Sequence, residues 1–288
     1  MGLAHGVCYR GAYYAMYSPQ LLLILAISLA SVLPTQADTT VGIPIISLPA
    51  SLSRPGKYRL TRNFNFTEEG TAIVISGRDV VLDLNGFTIN GPEDAGDDSV
   101  CVHITGPNAI VRNGTIRRFR TGVDDEGDEA IGTLLEDLQL LNQQATGARL
   151  GGGESLVRRL RVRGTGTNGE DVGATTGLAF NGSATIEHCL IQRLTPLSGL
   201  SGPAGIRLGG GATYVVRECD LVNIPGTGIV FTGDISSVLE NIRIRIAAIG
   251  LNVTGIEQPL LRDSTFRDCT TTVTGPFDDG GRNQLSSN

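Results

Sequence analysis

The feature that most constrains the fold is a short repeat, which begins near Thr71 and continues almost to the end of the chain. Each repeat has a glycine or small residue, an apolar strand, a turn, a second short strand, one polar residue and a third strand. The first inward apolar column consists of Val111, Leu135, Val157, Ile186, Val216, Leu239 and Leu261. The second, five positions later, consists of Ile116, Leu140, Val162, Ile191, Leu221, Ile244 and Phe266. Successive members are 24, 22, 29, 30, 23 and 22 residues apart, so the basal period is near 22.

Three short strands in each repeat predict a right-handed parallel β-helix of about eight coils, an all-β fold. The strands are rich in Val, Ile and Leu, and no long segment has the 3.6-residue period of a helix. One coil cannot bury its own apolar face, so stacking neighbouring coils must build a continuous core. A leucine-rich repeat has a similar period, but its Leu-x-x-Leu-x-Leu-x-x-Asn consensus is missing.

A column of charged residues tests this register. It follows the first apolar column by one position and reads Arg112, Glu136, Arg158, Glu187, Arg217, Glu240 and Arg262. In a parallel stack these side chains become neighbours on one face, where opposite charges stabilise and like charges repel. The unbroken alternation favours stacking in this order and indicates a structural role.

The beginning of the repeat region resembles a known family. The residues that carry the resemblance are Pro55–Thr61 (PGKYRLT), Ala72–Ile75 (AIVI) and Val80–Ile89 (VVLDLNGFTI). They look like the first coils of right-handed parallel β-helix proteins of the pectate-lyase-like superfamily. The resemblance implies a right-handed coil, and it implies that active members bind acidic polysaccharide across the sheet of first strands. The motifs of alginate epimerases, pectate lyases and polygalacturonases are absent, so no catalytic residue can be transferred.

The segment before the repeat predicts export. The apolar run Leu21–Leu33 is short for a membrane span, and it precedes Thr35-Gln36-Ala37. This pattern indicates a secretory signal peptide over residues 1–37, with an N-terminal membrane anchor as the alternative, and a secreted or periplasmic protein. We expect residues 38–70 to cap the first coil, residues 71–275 to form the β-helix without a membrane span, and residues 276–288 to be a flexible tail. The net charge of -6 argues against a nucleic-acid partner.

Candidate catalytic residues lie in the outward column of the first strands. This column reads Val74, His103, Asp124, Arg149, Ala179, Arg207, Val230 and Asn252. Elimination from a uronic acid needs a base beside the carboxylate and a cation that neutralises it. His103 could be the base, and Arg149 or Arg207 could hold the carboxylate. Asp124 lies between His103 and Arg149 in this column. The alternative is an ordinary charge ladder on a sheet surface.

Two further sets of residues could bind ligands. The outward third-strand positions Arg161, Arg163, Arg243 and Arg245 predict a basic face for a polyanion. The acidic turns carry weak Ca²⁺ candidates, with solvated loops as the alternative. Those candidates are Asp97, Asp98, Asp125 and Asp128. No other cofactor is indicated.

Two hypotheses therefore remain open for function. The first is a polysaccharide lyase or related carbohydrate-active enzyme that acts on an acidic polysaccharide through the first sheet. The second is a non-catalytic exported scaffold, or a protein that binds glycans or surfaces along the solenoid. The sequence also leaves open whether Cys189 and Cys219, in one column of adjacent coils, form a disulfide, and it leaves the oligomeric state open.

Overall fold

The computed structural model describes residues 42–92, 98–125, 127, 129–166, 175–196, 202–232 and 237–287. Within these ranges every regular element is a β-strand. The first third of the chain contains β1 (Ile43–Ile45), β2 (Ala50–Leu52), β3 (Gly56–Leu60), β4 (Phe64–Asn65), β5 (Thr71–Ile75), β6 (Val80–Asp83), β7 (Thr88–Asn90) and β8 (Val100–Ile104). The middle contains β9 (Ile110–Arg117), β10 (Thr121–Asp125), β11 (Leu134–Leu141), β12 (Thr146–Leu150), β13 (Ser155–Arg158), β14 (Arg161–Arg163), β15 (Thr176–Phe180), β16 (Ala184–Glu187) and β17 (Leu190–Gln192). The last third contains β18 (Ala204–Leu208), β19 (Tyr214–Arg217), β20 (Asp220–Phe231), β21 (Val238–Glu240), β22 (Arg243–Val253), β23 (Leu260–Arg262), β24 (Thr265–Thr274), β25 (Asp278–Asp279) and β26 (Gln284–Ser287).

The strands stack in parallel on three faces, which we call the first, second and third sheets. The first sheet contains β2, β5, β8, β10, β12, β15, β18 and the C-terminal parts of β20, β22 and β24. The second contains β1, β3, β6, the N-terminal parts of β9 and β11, and β13, β16, β19, β21, β23 and β25. The third contains β4, β7, the C-terminal parts of β9 and β11, β14, β17, the N-terminal parts of β20, β22 and β24, and β26. Each coil is thus a crossover between parallel strands, which takes the right hand, and the fold is the predicted right-handed parallel β-helix.

The predicted register is confirmed. Leu135 pairs with Val111 on one side and with Val157 on the other, and the same column continues through Leu261. The second apolar column pairs in the same way from Ile116 to Phe266. Members of both columns are fully buried, so stacking builds the core that no single coil could build.

A one-residue turn joins the second sheet to the third, and it has a left-handed backbone. The turn residues have φ between 51° and 59°, and they are Asn113, Asp137, Arg159, His188, Glu218, Asn241 and Asp263. Asn and Asp tolerate this region better than other residues with a Cβ. These seven left-handed residues recur with the period predicted from the sequence.

Close backbone contacts explain the glycine that begins most coils. A Cβ at Gly177 would lie 2.5 Å from the carbonyl oxygen of Gly205, and one at Gly205 would lie 2.6 Å from that of Gly228. No side chain fits at such distances, so only glycine lets the chain turn into the first sheet this tightly.

Both ends of the described chain are more regular than predicted. The expected cap contains β1 to β4, which pair with later strands and bury Leu60, Phe64 and Phe66. This segment forms a coil because it has inward apolar residues of its own. The expected flexible tail contains β25 and β26, which pair with β23 and β24, and Leu285 packs against the core.

The described part of the chain also bears on cysteine chemistry and on membranes. Cys189 and Cys219 are buried free thiols, as are Cys101 and Cys269, so the structure contains stacked thiols rather than a Cys189–Cys219 disulfide. In the described ranges we find no helix with the length and hydrophobicity that crossing a bilayer requires. The predicted signal peptide lies outside the described residues.

Candidate functional site

The outer row of the first sheet places the predicted catalytic residues on successive strands. Asp124 on β10 pairs with His103 on β8 and with Arg149 on β12. Parallel neighbours are about 4.8 Å apart, which is within reach of side-chain contact. The adjacency predicted from the repeat is therefore present, and we call His103, Asp124 and Arg149 the first-sheet triad.

Asp124 is the centre of this triad. Its side chain is only 4% exposed, and its two carboxylate oxygens accept bonds from Nε and Nη2 of Arg149 at 2.8 and 3.0 Å. Such a bidentate pair is among the stronger hydrogen-bonded contacts in proteins, and it offsets the cost of burying the carboxylate. The ion pair thus fixes Asp124 and one edge of the Arg149 guanidinium.

His103 approaches the same carboxylate from the opposite side. Its Nδ1 lies 3.6 Å from Oδ2 of Asp124, and its side chain is 29% exposed. This separation is too long for a hydrogen bond but short enough for strong attraction once the imidazole is protonated. The ring therefore faces a buried negative charge on one side and solvent on the other.

Arg207 belongs to the same row but not to the triad. Its strand β18 pairs with β15, where Ala179 occupies the outward position between Arg149 and Arg207. Two strand spacings, about 10 Å, separate the backbones of the two arginines. Arg207 is half-buried, and none of the ion pairs among the described residues includes it. The row thus has a small residue flanked by two guanidinium groups.

Asp125 lies next to Asp124 in sequence but points into the core. It pairs with Ile104 and Leu150 in an inward column, and it is fully buried. Its carboxylate accepts a bond from the Thr133 hydroxyl at 2.6 Å and another from the Gly152 N–H at 3.2 Å. Burial raises the pKa of Asp125 to about 6, although these two bonds oppose the shift.

Of the other Ca²⁺ candidates, the structure describes one. Asp98 is exposed, and Asp97 and Asp128 lie outside the described residues. Across the ranges that the structure describes, no three His, Cys, Asp or Glu side chains come together around a common point. Asp125 belongs to the core rather than to the acidic turn in which the sequence grouped it.

The four predicted third-sheet arginines form two separate pairs. Arg161 and Arg163 lie on β14, whereas Arg243 and Arg245 lie on β22, with β17 and β20 between them. Arg243 binds Asp220 of β20, with Nη2 to Oδ2 at 2.9 Å. Sequence reasoning missed this partner, although Asp220 stands one coil before Arg243 in the same column.

The alternating column of the second sheet forms a ladder of ion pairs, as predicted. Glu136 lies 2.7 Å from Arg158 and 4.0 Å from Arg112. Farther along, Glu187 lies 2.7 Å from Arg217, and Glu240 lies 3.0 Å from Arg262. We call this column the second-sheet ladder. Its regularity along the stack supports a structural role.

Comparisons with known proteins give a likeness of fold only. Neither a protein-family model nor a curated protein sequence matches this chain. A crystal structure of pectate lyase Pel9A is similar with a TM-score of 0.46 and 14% identity, over 80% of this chain and 71% of that one. A GH87 alpha-1,3-glucanase catalytic domain in complex with nigerose gives a TM-score of 0.34 and 12% identity, over 84% of this chain and 64% of that one. The Agl-KA catalytic domain gives 0.33 and 15%, over 81% of this chain and 61% of that one.

Proposed function

We propose that this protein is an exported β-helix protein that acts on an acidic polysaccharide by β-elimination at the first sheet. One observation carries the proposal: a nearly buried carboxylate, Asp124, lies between an accessible imidazole and a fixed guanidinium. Export follows from the signal peptide expected over residues 1–37 and would take the protein to the compartment of such a substrate.

In this proposal His103 is the general base. It takes the proton from the carbon beside the uronate carboxylate, and the glycosidic bond on the next carbon then breaks. A double bond forms between these two carbons, and the leaving oxygen takes a proton from water. The Asp124 carboxylate, 3.6 Å from Nδ1, stabilises the imidazolium that results.

The uronate carboxylate would bind between Arg149 and Arg207. The small side chain of Ala179 leaves space between them, and guanidinium groups match a carboxylate in geometry and charge. Neutralising this carboxylate lowers the energy of the carbanion-like transition state. Arg207 is the main candidate for this contact, because Arg149 already donates two bonds to Asp124.

A second candidate function is non-catalytic binding by an exported scaffold. The Arg149–Asp124 pair favours it, because that pair resembles the ion pairs of the second-sheet ladder. In that case the first sheet would bind a glycan without cleaving it, and His103 would have no chemical role.

The experiment that separates these functions is an elimination assay. The purified protein would be mixed with a panel of acidic polysaccharides, with and without Ca²⁺, and unsaturated uronates would be followed by ultraviolet absorbance. We expect an increase that His103→Asn abolishes. The matched control is His188→Asn, which removes a second His–carboxylate pair, 2.9 Å long, from a turn outside the first sheet. A flat trace for the wild type on every substrate would contradict elimination.

A further inference from the structure

The third sheet carries a cavity of about 470 Å³ that lies outside the first-sheet triad. Asp220, Arg243, Arg245, Thr265 and Arg267 line it. These residues belong to the adjacent strands β20, β22 and β24, where Arg243 pairs with both Asp220 and Thr265. The cavity is therefore built on the regular part of the sheet.

The charges in this cavity do not balance. Asp220 accepts two bonds from Arg243, and together they are neutral. Arg245 pairs directly with Arg267 across the β22–β24 ladder, so two arginines occupy adjacent positions on neighbouring strands, and both line the cavity. Arg267 donates to the neutral amide oxygen of Gln284 at 3.0 Å, and no ion pair among the described residues includes Arg245 or Arg267. Two positive charges are left over.

This arrangement contrasts with the second-sheet ladder. On the second sheet, each arginine of the ladder has a glutamate of the neighbouring coil as its pairing partner. In the row of the third sheet that ends in Arg245 and Arg267, the earlier described positions carry no acid. Those positions are Asn65, Asn90, Arg117, Leu141, Arg163, Gln192 and Val222. Directly opposed like charges destabilise a sheet, so an anion from outside the chain would relieve a repulsion that the fold leaves in place.

We propose that Arg245 and Arg267 together bind one oxyanion of an acidic glycan, either a uronate carboxylate or a sulfate ester. The strand spacing of about 4.8 Å brings both guanidinium groups to the same anion. Each can donate two parallel hydrogen bonds, and the Thr265 hydroxyl supplies a further donor. The Arg243–Asp220 pair forms a neutral wall. This site does not depend on elimination at the first sheet.

The test is a binding titration with charge-matched variants. A polyuronate oligosaccharide and a sulfated oligosaccharide would be titrated in turn into the wild type, into Arg245→Ala/Arg267→Ala and into Arg54→Ala/Arg59→Ala. All four of these arginines are exposed. Both double variants therefore remove two exposed positive charges, but only the first removes them from the cavity. We expect the cavity variant to weaken binding at least tenfold and the control to change it less than threefold. The oligosaccharide that loses the larger factor identifies the type of oxyanion.

A stability measurement keeps the test informative if binding is weak. If Arg245 and Arg267 were structural, their removal would lower the thermal unfolding temperature. We expect an unchanged or higher temperature at low salt, because the substitution removes a repulsion. Equal losses of affinity in the two double variants would overturn the proposal, as would no binding of either oligosaccharide by the wild type.

Discussion

The first-sheet triad and the second-sheet ladder both place an acid between basic side chains, but they differ in how many coils the pattern spans. In the triad, Asp124 lies between His103 and Arg149 and its side chain is 4% exposed. In the ladder, Glu136 lies between Arg112 and Arg158 and its side chain is 11% exposed. The ladder repeats along the stack, whereas the triad stops at Ala179, beyond which Arg207 follows without an acidic neighbour in its row. We infer that a charge pattern that repeats from coil to coil stabilises the fold, whereas an interrupted pattern indicates a candidate functional site.

The largest effect on stability is expected where the ladder is most buried. Glu136→Arg would place a fourth guanidinium among Arg112, Arg158 and Arg159, which all approach Glu136 within 4.0 Å. We expect the free energy of unfolding to fall by about 4 kcal/mol, since the substitution breaks a largely buried pair and adds repulsion. Urea unfolding would measure it.

The matched control for that substitution is Glu240→Arg. Glu240 is 33% exposed and lies near one ladder arginine, Arg262, so we expect a loss of about 1 kcal/mol. Equal losses in the two variants would contradict the claim that burial sets the strength of each ladder position.

The second largest effect on stability is expected from Asp125, a carboxylate that is buried in the core. Its folded-state pKa of about 6 lies above the ordinary value of 3.8, so the folded protein holds this proton more tightly than the unfolded chain does. Its contribution to stability is complete below about pH 4 and is lost as the pH rises through 6. The full change is on the order of 3 kcal/mol.

Asp125→Asn isolates this contribution. The amide keeps an acceptor for the Thr133 hydroxyl but cannot ionise. Urea unfolding of both proteins from pH 4 to pH 7 should show the variant becoming steadily more stable relative to the wild type. A difference that does not vary with pH would contradict the assignment.

A smaller contrast separates the two arginines that bind the central acids. Arg149→Met leaves Asp124 nearly buried, with His103 as the remaining basic residue beside it in the row, so we expect a loss of about 2 kcal/mol. Arg158→Met should cost about 1 kcal/mol, because Glu136 keeps Arg112 and Arg159. Thermal and urea unfolding of the two variants would give the ratio, and the reverse order would contradict the comparison.

The smallest effect is expected at the exposed part of the ladder. Arg217 is 47% exposed and binds Glu187 at 2.7 Å. Arg217→Ala should lower the free energy of unfolding by about 0.5 kcal/mol at low salt and by less at high salt, because surface pairs are weak and screened. A loss above about 2 kcal/mol would show that the ladder is more than a set of local pairs.

The repeat made most of the fold predictable from the sequence. Once Val111 and Leu135 were aligned, every later coil followed, and the adjacency of His103, Asp124 and Arg149 followed with it. The coil over β2 to β4 was missed because its sequence departs from the later repeat, although Leu60 and Phe64 are inward apolar residues.

Features that depend on side-chain direction or on three-dimensional contact were harder to predict. Because side chains alternate between the two faces of a strand, the outward position of Asp124 predicts an inward Asp125. The acidic residues around Asp125 suggested a loop instead. The Arg243–Asp220 bond and the cavity around it depend on the conformations of long side chains, which the sequence repeat does not determine.

The most direct test of the difference between the triad and the ladder is a comparison of Asp124→Asn with Glu136→Gln. Each variant neutralises an acid that lies between basic residues of the two neighbouring coils, and each keeps the shape of its side chain. Turnover of an acidic polysaccharide would be measured for both, with the folded fraction determined at the same temperature. We expect Asp124→Asn to lower kcat about 100-fold while Glu136→Gln stays within threefold of the wild type. Equal turnover in the two variants would contradict the assignment of the first-sheet triad as the functional site.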